Sequence, residues 1–112
     1  MSEQQLVLVE KRGDVDWVTL NRPDKLNAFN EELVDELADY FRNLANDHSV
    51  RVVVLKANGR AFCAGLDFSP DAFSANEKTP RIILKLQKQI AEIYRAMRRC
   101  PQPIIALVHG AA

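Results

Sequence analysis

An α/β fold with parallel strand pairing is what this sequence predicts, and three observations predict it. Two short, continuous apolar runs rich in β-branched residues, Val52-Val53-Val54-Leu55 and Ile104-Ile105-Ala106-Leu107-Val108, have the character of strands buried on both faces. Each follows a segment whose apolar residues recur every three or four positions, the mark of an amphipathic helix. A β-rich opening precedes both. The order strand, helix, strand, helix, strand packs as helices against a parallel sheet.

The elements follow in chain order. Leu6-Val7-Leu8-Val9 reads as a strand, Gly13-Asp14 as a turn, and Val15, Trp17, Val18, Thr19 and Leu20 as a second strand, so the opening is a predicted hairpin. Asn21-Arg22-Pro23-Asp24 ends it, because proline has no N–H for the ladder and restricts the residue before it. Asn30 is a suitable helix N-cap, with Glu31 and Glu32 at the positive end of the dipole. Leu33, Leu37, Phe41 and Leu44 carry the helix to about Asn46. After the Val52–Leu55 strand, a long connection runs from Ala57 to about Thr79, and long loops in compact domains are often functional. Pro80 to Arg99 is the second helix, with Ile83, Leu86, Ile90, Ile93 and Met97 on one stripe. Pro101 and Pro103 stop it, and His109-Gly110 ends the last strand.

The 112 residues suffice for one small domain and not for two, and no internal repeat or linker divides them. Fifteen basic residues cancel fifteen acidic ones, which gives no electrostatic reason to expect a nucleic acid or membrane partner. The arginines Arg95, Arg98 and Arg99, like the acidic group Glu31, Glu32, Asp35 and Glu36, have the spacing of solvated helix faces. Cys63 and Cys100 have neither metal spacing nor the density of a disulfide scaffold. No signal peptide or membrane-length apolar run is visible, and the expected location is the cytoplasm.

The chemistry concentrates in Gly59-Arg60-Ala61-Phe62-Cys63-Ala64-Gly65-Leu66-Asp67-Phe68, directly after a predicted buried strand. Open α/β sheets bind ligands outside the carboxyl ends of their strands. Small residues at Ala64 and Gly65 permit a close approach, and a backbone N–H displayed there is able to meet a developing negative charge. A simple tight turn accounts for the same residues.

Three ordered segments narrow the choice: Thr19-Leu20-Asn21-Arg22-Pro23 with Asn27-Ala28-Phe29, then Arg60 to Asp67, then Pro103 to Ala111. In order and spacing they resemble the enoyl-CoA hydratase/isomerase (crotonase) family, over nearly the whole chain. The resemblance implies a crotonase-type ββα spiral, with residues 1–112 as the N-terminal part of a single domain. It implies an acyl-CoA thioester as partner, no separate cofactor since coenzyme A enters with the substrate, and trimers or pairs of trimers in the complete enzyme. It also implies that the Leu66 backbone N–H is one of two oxyanion donors. Asp24, Lys25, Leu26 and Ala28 match positions along the coenzyme A groove. Ala64, Gly65, Asp67 and Phe68 match positions about the pantetheine and thioester. The second oxyanion donor and the acid/base carboxylates are expected beyond Ala112, so a nearly inactive polypeptide is expected.

Plainer roles compete at several residues. Cys63 reads as a packed thiol rather than a nucleophile, and Asp67 as bonded to loop backbone rather than a general base. His109 reads as strand-end packing, and Lys25 equally as a solvated turn lysine. Trp17 and Phe29 are expected in the core, and Phe68 and Phe73 along an acyl wall. Two rival functions remain: a truncated or split fragment that only self-associates, and an unrelated nucleotide-binding domain. The latter lacks both Gly-x-Gly-x-x-Gly and a Walker sequence.

Overall fold

The computed structural model describes residues 5–67 and 80–110. Four strands form one sheet in the order β1-β2-β3-β4: β1 (Val7–Arg12), β2 (Val15–Leu20), β3 (Val52–Ala57) and β4 (Ile104–Ala106). β1 and β2 are antiparallel through the turn at Gly13-Asp14, where Gly13 takes φ 64°. β2 with β3 and β3 with β4 are parallel, joined by α1 (Glu31–Leu44) and α2 (Pro80–Arg99). The α/β expectation with parallel pairing is met.

Both helices cover one face of the sheet. Alternation along β2 and β3 sends Val18, Leu20, Val53 and Leu55 to that face, where Leu33, Val34, Leu37, Phe41, Leu86 and Ile93 complete the core. Phe41, Leu33, Val34, Val18 and Val53 are fully buried. Asn30 caps α1 as expected, its Oδ1 accepting the Leu33 N–H at 2.9 Å. At the other end of α1, Gln102 donates from its side chain to the Leu44 carbonyl at 2.8 Å and the Asp47 carbonyl at 3.1 Å. The Leu44 carbonyl is among the acceptors that a helix end leaves without intrahelical partners.

Several expectations are corrected by tertiary context. β1 extends to Arg12 and β3 to Ala57, because cross-strand pairing continues past the apolar residues. Glu36 is not merely solvated: its carboxylate accepts the backbone N–H groups of Leu6 and Val7 at 3.2 and 3.0 Å, tying α1 to the start of β1. Asp16, at a buried β2 position, is held by Lys11 at 2.9 Å and by the Tyr40 hydroxyl at 2.7 Å. Trp17 lies under the Arg12 guanidinium at 4.6 Å, on the sheet face opposite the helices, rather than in the core. Ile83, placed on the apolar stripe of α2, is 39% exposed.

The largest difference concerns the last strand. Only Ile104–Ala106 pairs, and Ile105, Leu107 and Val108 are 51%, 46% and 55% exposed instead of buried. β4 is the edge of the described sheet, and pairing with β3 on one side does not cover its faces. Among the described residues, no helix is long and apolar enough to cross a membrane.

Candidate functional site

The residues after β2 and after β3 meet at the carboxyl ends of the parallel strands. Pro23–Lys25 forms one turn of 3-10 helix, and Leu26 and Asn27 follow with φ 55° and 57°. That left-handed pair reverses the chain tightly enough for Asn27 to point inward, where it is fully buried. Its Oδ1 accepts the Arg22 N–H at 2.7 Å, and its amide nitrogen donates to the carbonyls of Asn58 and Ala61 at 2.8 and 2.9 Å. One side chain therefore locks the loop after β2 to the loop after β3. Asn27 belongs to the quoted family motif, but its locking role does not emerge from residue type and spacing, since the two carbonyls it reaches lie more than thirty positions away.

The two loops then run side by side. The Ala64 N–H donates to Leu26 O at 3.0 Å, the Phe29 N–H to Gly65 O at 2.7 Å, and the Asp67 N–H to Phe29 O at 3.0 Å. Phe29 and Leu66 form a parallel bridge. The geometry of Leu66 follows from this. A trans peptide points its C=O and N–H in opposite directions, so holding Gly65 O toward Phe29 turns the Leu66 N–H away from it. Among the described residues, nothing accepts that N–H. Gly65 makes the arrangement possible with φ 98°, a conformation costly for any residue bearing a Cβ.

Beside this peptide lies a cavity of about 590 Å³, within the usual range for small-ligand pockets. Leu20, Leu55 and Ala106 line it from the sheet, Phe29, Gly65 and Leu66 from the loops, and Ile90, Ile93 and Met97 from α2. Of the residues that the family resemblance assigns to oxyanion and substrate binding, Gly65 and Leu66 reach this cavity. Asp24 and Lys25 are exposed on the 3-10 turn, Ala28 is buried beneath it, and Ala64 is exposed at the loop. Phe29, expected in the core, is instead a half-buried wall of the cavity. Phe68 and Phe73 lie outside the described residues.

Asp67 has a partner that local spacing does not indicate. Its carboxylate is buried and pairs with the Arg22 guanidinium at 2.8 Å, an attraction between residues 45 positions apart that sequence alone does not reveal. Arg22 also donates to Ala28 O at 2.8 Å. Cys63 is half-buried in the cavity wall, and burial pushes its thiol pKa upward, only partly offset by a hydrogen bond with the Gly65 backbone. A raised pKa leaves little thiolate near neutrality, which disfavours a nucleophilic role. His109 is exposed beyond the end of β4, and its Nε2 meets Gly59 O at 2.8 Å.

A glycine-bearing loop at the carboxyl ends of parallel strands, with a backbone N–H and an apolar cavity beside it, is an arrangement at which α/β proteins commonly bind ligands. The comparisons make this specific. The chain belongs to the enoyl-CoA hydratase/isomerase family, whose profile matches residues 10–112. It is 33% identical to the 1,2-epoxyphenylacetyl-CoA isomerase of Escherichia coli, over 96% of this chain and 41% of that protein. It is 37% identical to a probable enoyl-CoA hydratase of Mycobacterium leprae, over 96% of this chain and 37% of that protein. The crystal structure of an enoyl-CoA hydratase from Mycobacterium smegmatis superposes with TM-score 0.86 at 40% identity, covering 96% of this chain and 41% of that one. The fold is thus the crotonase type expected from sequence, and the chain spans about two fifths of the length of these relatives.

Proposed function

We propose that this chain forms the acyl-CoA-binding part of an enzyme that stabilises a thioester enolate. The observation that carries the reading is the Leu66 N–H, turned outward by the Gly65–Phe29 hydrogen bond and bordered by the 590 Å³ apolar cavity. In this reading the thioester carbonyl accepts that N–H, the acyl chain occupies the cavity, and coenzyme A runs past Asp24, Lys25 and Ala28. Phe68 is assigned to the same neighbourhood from the family pattern alone. Hydration of a trans-2-enoyl-CoA is the default reaction, with double-bond isomerisation and thioester hydrolysis as alternatives.

Catalysis by this polypeptide is proposed to be weak. One oxyanion donor is worth about 10²–10³ in rate and general acid/base groups about 10²–10⁴, and the reading assigns the second donor and the acid/base groups to residues outside this chain.

Crotonyl-CoA provides the test. It is expected to shift the Leu66 amide resonance on binding, whereas S-butyl-CoA, a thioether that lacks the thioester carbonyl, binds without that shift. Equal shifts from both ligands, or none from either, refute the oxyanion role. Normal hydration of crotonyl-CoA by the purified chain refutes the weak catalysis.

A second reading, a non-catalytic module that associates through its last strand, is favoured by the exposed apolar side chains of Ile105, Leu107 and Val108. A monomer by sedimentation at high concentration would dismiss it.

A further inference from the structure

The Arg22–Asp67 ion pair has no evident task in the reading above, yet its position is specific. Both side chains are nearly buried, 13% and 7% exposed. A buried ion pair is poor evidence of stability, because desolvating two charges offsets much of their attraction, and apolar replacements of similar size are often as stable. Such a pair is better explained by what it holds in place.

Among the described residues, two contacts hold Asp67. Its backbone N–H donates to Phe29 O at 3.0 Å and its carboxylate meets Arg22 at 2.8 Å. Arg22 is itself anchored within the loop after β2, through its guanidinium to Ala28 O at 2.8 Å and through its backbone N–H to Asn27 at 2.7 Å. Leu66 sits between Asp67 and Gly65, and Gly65 is held by the Phe29 N–H at 2.7 Å. The peptide carrying the outward N–H is therefore fastened on both sides, and the ion pair is the charged fastening. A backbone donor is effective only within a few tenths of an ångström of its productive geometry.

We propose that Arg22 and Asp67 are positioning residues whose ion pair aims the Leu66 N–H at the ligand oxygen, without touching the ligand themselves. This rests on the oxyanion role of Leu66. It adds that the aim, rather than the stability of the fold, depends on the two charges.

The test uses acetoacetyl-CoA, whose C2 proton is acidic. On ionisation the proton passes to buffer and the electron pair spreads onto the ketone and thioester oxygens, giving an enolate with its own absorbance. Three chains are compared: wild type, Asp67→Asn, and the double variant Arg22→Met with Asp67→Leu. In Asp67→Asn, the Phe29 amide is expected to exchange with solvent at least about tenfold faster, since a buried guanidinium is left without its carboxylate. The bound enolate is expected to appear at higher pH, while affinity for free coenzyme A changes less than about threefold, as a misaimed donor predicts. The double variant is expected to regain wild-type thermal stability without regaining the enolate. That last result distinguishes aiming from structural support.

Phe29 exchange unchanged in Asp67→Asn overturns the proposal, as does a double variant that restores the enolate together with stability. If Asp67→Asn does not fold, the double variant alone decides between the two roles. If wild type shows no enolate at all, the oxyanion role of Leu66 fails and this proposal falls with it. The Phe29 exchange then still reports whether the pair holds the loops together.

Discussion

Replacing Asn27 with alanine tests whether one buried amide holds the site together. The side chain is fully buried and makes three hydrogen bonds, accepting from the Arg22 N–H and donating to Asn58 O and Ala61 O. Alanine leaves one donor and two acceptors without their partner, and each such group costs about 1–3 kcal/mol when buried. It must also adopt φ 57°, which disfavours alanine relative to asparagine by about 1 kcal/mol. Relaxation of the loops and entry of water reduce the total, so the expected loss is about 3–5 kcal/mol, out of about 5–15 for a typical domain. Urea unfolding followed by Trp17 fluorescence measures it, provided the slope with denaturant is unchanged. Asn27→Asp sharpens the test. It keeps the acceptor for Arg22 but sets a carboxylate against two carbonyl oxygens, so it is expected to be no more stable than the alanine variant. A loss below about 1 kcal/mol for alanine, or a wild-type midpoint for Asn27→Asp, refutes the locking role.

Two further perturbations test the site's geometry and chemistry. Gly13 and Gly110 share nearly the same conformation, φ 64° and 63°, but an added Cβ at Gly13 meets nothing within 4 Å, whereas at Gly110 it lies 2.3 Å from Arg60 O. Gly13→Ala is therefore expected to cost only the backbone term of about 1–2 kcal/mol and Gly110→Ala clearly more, by thermal unfolding; equal costs refute the close approach. Cys63 in the folded chain is expected to react with iodoacetamide only at pH values above those at which it reacts in the urea-unfolded chain, because burial raises its pKa. The sign for stability follows. With the folded pKa above the unfolded one, this thiol's contribution is complete below the unfolded value of about 8.5 and is lost as pH rises through the folded value. An alkylation profile identical in the two states refutes this.

The elements that were legible were those with a local cause. Leu33, Leu37, Phe41 and Leu44 at helical spacing, Asn30 at the cap and the prolines beyond Arg99 each specify structure through neighbours within a few positions. The extent of β1 and β3, by contrast, depends on partners across the sheet. Glu36 has the same local spacing as its acidic neighbours, yet it alone accepts the Leu6 and Val7 N–H groups. The buried reading of Ile104–Val108 failed for a related reason: an apolar run states what a strand tends to bury, not what covers it. Within the site, Gly65 was singled out by the loop pattern and Leu66 by the family resemblance, while Arg22 and Asn27 entered only as motif residues without a role and Phe29 as a core residue.

By itself, then, the sequence determined the strand and helix order, the parallel pairing and the family, because these reside in short-range periodicity and in ordered local motifs. Only the tertiary structure decided which way the Leu66 N–H faces, what Asp67 pairs with and where the cavity lies. Each of those depends on atoms from loops about forty residues apart, brought within 3 Å of one another by the packing of β2 beside β3.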